Sequence, residues 1–93
     1  MNKGRLVTAE RVLKALGNRR RLSIVHLLRK RGRVSVGDIA GHIVLSFPAT
    51  SRHLRILANA NVVGSEQVNT TVNYFLATEH KQILDPVLLA LKQ

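Results

Sequence analysis

Ninety-three residues carrying fifteen Lys and Arg against five Asp and Glu, a formal net charge of +10, specify one basic domain with room for a single small core over residues 1–93. The lack of cysteine excludes disulfides, thiolate metal sites and thiol redox switches, and no apolar stretch, Pro86 to Leu91 included, approaches a membrane span or a signal-peptide core. A cytoplasmic location is expected, with a nucleic acid rather than a membrane as polyanionic partner, because the chain has no Trp and no basic helix backed by bulky aromatic residues.

The first helix is expected to start at Thr8, with Glu10 in its first turn, to carry Val12, Leu13 and Leu16, and to stop at Gly17. Asn18 caps a second helix whose apolar residues are Leu22, Ile24, Val25, Leu27 and Leu28. Arg19, Arg20 and Arg21 fill its first turn, where each cation faces the positive end of the helix dipole at a cost of about 0.3–1 kcal/mol. A docked phosphate would offset that cost. The competing reading pairs Arg21 with Glu10 or Asp38 and leaves Arg19 and Arg20 in solvent. Arg29, Lys30, Arg31 and Arg33 suit a helix C-terminus and are expected to be solvated, with Gly32 as the left-handed cap. Ser35 and Asp38 form a capping box for a third helix, which points Val36, Ile39, Ala40 and Ile43 inward.

A fourth helix follows after only Val44 and Leu45. Ser46 caps it and Pro48 sits in its first turn, where the missing N–H is harmless. Thr50, Leu54 and Leu57 recur at helical spacing and turn inward. The opposite side carries Pro48, Ser51, Arg52, Arg55 and Asn59. Short side chains there let a helix approach base edges, while the two guanidinium groups reach guanine or phosphate. Ser46, Phe47, Pro48, Ala49, Ser51, Arg52, Arg55, Arg19 and Arg20 are therefore the candidate DNA-contacting residues.

From Val62 the apolar period becomes extended. Val62, Val63 and Val68, then Val72, Tyr74 and Leu76, flank Asn69-Thr70-Thr71 as a two-stranded hairpin. A last helix begins at Thr78 or Glu79. Its Ile83, Leu84, Val87, Leu88, Leu89 and Leu91 cover more than one face, and the surplus must be buried against something, a second copy being the simplest candidate. Charge is also divided along the chain: residues 1–58 hold thirteen basic and two acidic residues, whereas 59–93 hold two and three. The polyanion is thus met by the first two-thirds.

Four helices, a hairpin and a fifth helix make a winged helix-turn-helix, mainly α with a small β element. Ala15 to Ile24, Val34 to Ala40, and above all Leu45-Ser46-Phe47-Pro48-Ala49-Thr50-Ser51-Arg52-His53-Leu54-Arg55-Ile56-Leu57 resemble the arsenic-repressor (ArsR/SmtB) group of transcriptional regulators, as does Ala60-Asn61-Val62-Val63. The resemblance covers residues 8 to 91. It implies a homodimeric repressor, paired through its first and last helices, that holds a palindromic operator and leaves when an effector binds. Leu6, Val12, Leu13, Leu84, Val87, Leu88 and Leu91 are the expected dimer contacts.

Several positions depart from that group. Its Cys-x-Cys metal site falls here on Ser35 and Gly37, and the last helix offers only His80 with Glu79, so no metal or cofactor is expected, and a small non-metal effector, or none, is the better fit. The hairpin tip has no cation, which predicts little phosphate contact from the wing. Phe47 stands where a polar residue is usual, either against thymine methyls or packed on the third helix. Val44 replaces a turn glycine, which predicts a shifted turn. His53 is expected to be packed and hydrogen-bonded. No acid–base pair, nucleophile elbow or phosphate loop is present, which argues against an enzyme. The alternative to a DNA-binding regulator is a winged-helix module that binds RNA or protein through its basic face, although three aromatic residues make a poor stacking platform for single strands.

Overall fold

A computed structural model describes residues 1–92. The elements are α1 (Lys3–Leu16), α2 (Arg19–Arg31), β1 (Val34–Ser35), α3 (Val36–Ile43), α4 (Phe47–Asn59), β2 (Val63–Val68), β3 (Thr71–Leu76) and α5 (Lys81–Leu91). Helix α1 begins well before Thr8. The Asn2 side chain accepts hydrogen bonds from the backbone N–H of Gly4 at 2.7 Å and of Arg5 at 3.4 Å, so the start signal lies one and a half turns upstream, and Thr8 is an interior residue. Asn18 caps α2 as its sequence requires, accepting from Arg20 and Arg21 at 2.9 and 3.1 Å. Gly32 ends α2 with φ at 84°, a conformation that side chains resist.

The hairpin is part of a three-stranded sheet ordered β1-β3-β2. Two residues suffice for β1, Val34 lying opposite Tyr74 and Ser35 opposite Asn73. A strand that short has no readable period. Strands β2 and β3 pair antiparallel from Val63 with Leu76 to Val68 with Thr71, closed by Asn69, whose φ is 58°.

The turn between α3 and α4 corrects the expectation of a shifted chain path. Val44 itself occupies the left-handed conformation, φ 56° and ψ 53°, with its side chain 83% exposed. The positive-φ position of the turn is taken by the valine itself, and the strain stays there. Left-handed backbone costs a side-chain-bearing residue about 1–2 kcal/mol, partly offset by the greater freedom of glycine in the unfolded chain. Val44→Gly should therefore stabilise the domain by about 1 kcal/mol, seen as a higher urea midpoint at unchanged slope. A lower midpoint would show that the valine side chain contributes packing that its exposure does not reveal.

The core joins Val12 and Leu16 of α1, Ile24, Val25 and Leu28 of α2, Ile39 of α3, Leu54 and Leu57 of α4, Val62, and Leu84 and Leu88 of α5. This corrects three of the expected dimer contacts. Val12, Leu84 and Leu88 are 0%, 3% and 5% exposed inside one protomer, so they have no surface left for a partner. Leu6 and Leu13, two turns apart on α1, are each 52% exposed, and Leu89 on α5 is 69% exposed. Val87 and Leu91 are half-buried. Helix α5 starts at Lys81, after a turn in which the carbonyl of Thr78 accepts from the N–H of Lys81, rather than at Thr78 or Glu79. Pro86 lies inside α5 and leaves the carbonyl of Gln82 without its usual donor.

Candidate nucleic-acid interface

The first turn of α4 is fixed from both sides. Ser46 Oγ accepts from the N–H of Ala49 at 3.3 Å, while the buried Thr50 hydroxyl donates to the Ser46 carbonyl at 2.9 Å. With Thr50, Leu54 and Leu57 locked in the core, the rotation of the helix is set. Ser46, Phe47, Pro48, Arg52 and Arg55 are then exposed, and Ala49 and Ser51 are half-buried on the flanks. Phe47, 59% exposed, does not pack away against α3.

Arg21 connects this helix to the rest of the basic surface. Its Nε donates to the carbonyl of Ala15 at 2.6 Å, and a terminal nitrogen hydrogen-bonds His53 Nδ1 at 3.2 Å. The carboxylate partner of the competing reading, Glu10 or Asp38, is not used. One guanidinium instead ties the end of α1 to the middle of α4. Burial, and then the charges of Arg21, Arg20 and Arg52, hold the His53 pKa below the usual histidine value, which favours the neutral ring that can accept from Arg21. Arg20 and Arg52, from different helices, therefore belong to one patch around His53. Arg19, also exposed, turns away and lines a groove with Leu22, Ser23, His26 and Leu91.

A depressed histidine pKa has a definite sign in stability. Below about pH 6.5 the unfolded chain takes up a proton that the folded chain resists, so this contribution is present above that pH and is lost as pH falls towards the folded value. Wild type should lose more thermal stability between pH 7.5 and 5.5 than His53→Gln, which keeps an acceptor for Arg21 but cannot titrate. Equal losses in paired melting curves would remove His53 from the account.

Sequence reasoning missed two contributors beside α4. Arg11 and Lys14 join Arg21, Ile56, Asn59 and Ala60 around an open groove of about 520 Å³. Their i, i+3 spacing on α1 was the available signal, but nothing marked which neighbour they face. The exposed pairing of Lys14 with Glu10 at 3.8 Å contributes little.

Of the cations expected to be solvated at the end of α2, Lys30 and Arg31 are exposed as expected, whereas Arg33 and Arg29 are paired. Arg33, read as a solvated helix end, pairs with Glu66 at 2.8 Å and lies 4.5 Å from the Phe75 ring centroid. That ring lies across Gly64, where a Cβ would come within 2.7 Å of it. The only acidic residue of β2 and β3 is thus neutralised from the β1 side. Arg29 and Lys81 both bind Asp85 at 2.9 Å, the Lys81 hydrogen bond and then that of Arg29 holding its carboxyl below the usual range, which ties α2 to α5. Among the described residues, the cations without a carboxylate partner include Arg11, Arg20, Arg52 and Arg55 on or beside α4, and also Arg5, Arg19, Lys30 and Arg31 elsewhere.

The geometry agrees with comparisons to known proteins. Residues 18–65 match the family described as bacterial regulatory protein, arsR family. The transcriptional repressor SdpR of Bacillus subtilis is 39% identical over 72% of this chain and 73% of its own. The chain spans about two thirds of the length of the curated relatives it matches, from 66% to 73%. Among solved structures, HlyU from Vibrio cholerae superposes with a TM-score of 0.84 at 31% identity, covering 97% of this chain and 94% of that one. The homodimeric winged helix-turn-helix DNA-binding domain Mb0332 of Mycobacterium bovis gives 0.82 at 28% identity, covering 95% of this chain and 79% of that one.

Proposed function

This chain belongs to the arsR family of bacterial regulatory proteins, winged helix-turn-helix transcriptional regulators, and we propose that it works as a cytoplasmic homodimeric repressor on an imperfectly palindromic operator. The observation that carries this reading is α4: a helix fixed by its cap and core residues, with Arg52 and Arg55 outward and Arg20 beside it. Ser46, Phe47, Pro48, Ala49 and Ser51 would stand at base edges in the major groove, with Arg52 and Arg55 on guanine or phosphate and Arg20 on the backbone. Arg19 would reach only flanking phosphates.

Pairing is assigned to α1 and α5. The exposed Leu6 and Leu13, with Val87 and Leu91, are the apolar contacts, and an open groove of about 800 Å³ between the two helices, lined by Arg5, Thr8, Ala9, Gln82 and Ile83, receives the partner. The homodimeric Mb0332 domain supports pairing as such. Two copies of α4 would then enter successive major grooves about 34 Å apart. With no thiol in the chain and His80 paired only with Glu79 at 3.4 Å, the effector that releases DNA is assigned to a non-metal class. The test is selection of duplexes from a random pool at about 150 mM salt, where weak electrostatic binding is suppressed. Enrichment of a palindrome with half-sites one helical turn apart is expected. No enrichment, with retained binding at low salt, would overturn the reading.

A further inference from the structure

Phe47 and Val44 form the least expected part of the α4 surface. Phe47 is the first residue of α4, Val44 precedes it by three positions in the turn, and they are 59% and 83% exposed. Phe47 stands at the tip of a helix flanked by Arg20, Arg52 and Arg55, which have no carboxylate partner among the described residues, so the polyanion those cations attract would meet an apolar side chain there. The major groove offers a counterpart: of the four base edges exposed there, thymine alone presents a methyl group. Neither Phe47 nor Val44 has a side-chain donor or acceptor with which to read the other base edges.

We propose that Phe47 reads thymine in each half-site through its 5-methyl group, with Val44 beside it, so that part of the operator preference is apolar rather than hydrogen-bonded. This rests on the assignment of α4 to the major groove. The unmade polar contact at this position is then a choice of base, not a weakness of binding. Substitution at Phe47 leaves the fold intact because Phe47 is outside the core, and the Ser46 to Ala49 cap does not involve its side chain.

The selected operator supplies the test. Each thymine of one half-site is replaced in turn by uracil, which keeps every hydrogen-bonding group and removes only the methyl. One position should weaken wild-type binding about fourfold, the ratio corresponding to about 0.8 kcal/mol for a buried methyl, and replacement in both half-sites should weaken it about fifteenfold. Phe47→Ala should bind the thymine operator more weakly and lose the difference between thymine and uracil at that position alone, its circular dichroism matching wild type. A half-site without thymine, wild-type indifference to uracil at every position, or an unchanged ratio in Phe47→Ala would each overturn the proposal. If no palindrome is selected at all, the assignment of function fails instead.

Discussion

Leu6→Glu combined with Leu13→Glu is expected to halve the particle mass in solution and to reduce operator affinity by about 100-fold or more. Each leucine is 52% exposed on one protomer, and burying its side chain against a partner is worth about 1.5–3 kcal/mol. A two-fold interface uses both residues twice, so four carboxylates replace four apolar contacts. The affinity loss follows because a dimer holds its second α4 at high effective concentration over the second half-site, whereas a monomer binds each half-site alone. Neither leucine belongs to the core, so helicity should be retained, and thermal stability should fall only by the share that dimerisation contributes. Sedimentation gives the answer directly: an unchanged mass for the double variant would move the interface away from α1. Leu88→Glu cannot serve this purpose, because a charge at a side chain 5% exposed within its own protomer would unfold the chain whatever its oligomeric state.

That distinction marks where the sequence was legible and where it was not. Caps and core faces were readable because their signals are local: Asn18, Ser35 and Ser46 accept the backbone N–H bonds their positions require, and Thr50, Leu54 and Leu57 are buried as their spacing demands. The start of α1 was not: Asn2 caps it rather than the expected Thr8, because the residues between them extend the helix without a break. Periodicity in α5 revealed that much of its surface is apolar, but not which stripe meets its own core and which faces outward. Only the positions of α1 and α2 decide that, which is why Leu84 and Leu88 were assigned to the partner and Leu89 was not. Long-range pairings were equally hidden. The bonds of Arg21 to Ala15 and His53, and of Arg33 to Glu66, join residues whose proximity is set by the packed helices and sheet rather than by their spacing.

Of the arginines around His53, Arg52 and Arg20 should separate into two kinds of contact. Arg52 projects from the middle of α4, on the side opposite Thr50, Leu54 and Leu57, where a side chain reaches base edges when the start of the helix is in the groove. Arg20 is in the first turn of α2, beside α4, where the neighbouring backbone would pass. Loss of a bidentate base contact costs about 1–3 kcal/mol per half-site and relaxes preference at one position, so Arg52→Ala should weaken operator binding far more than binding to unrelated duplexes. Loss of a phosphate contact is blind to sequence. Arg20→Ala should weaken all duplexes about equally and flatten the dependence of log K on log salt by about 0.9 for each contact removed, hence by nearly two for a dimer. Both variants should also raise the pKa of His53 towards its usual value, since each removes a cation that now depresses it. Titration of the His53 ring by NMR therefore checks that the two arginines share one patch, independently of any DNA. If both substitutions weaken every duplex equally while the histidine shifts as expected, the patch is real but Arg52 touches backbone, and base reading falls to Phe47, Ser51 and Arg55.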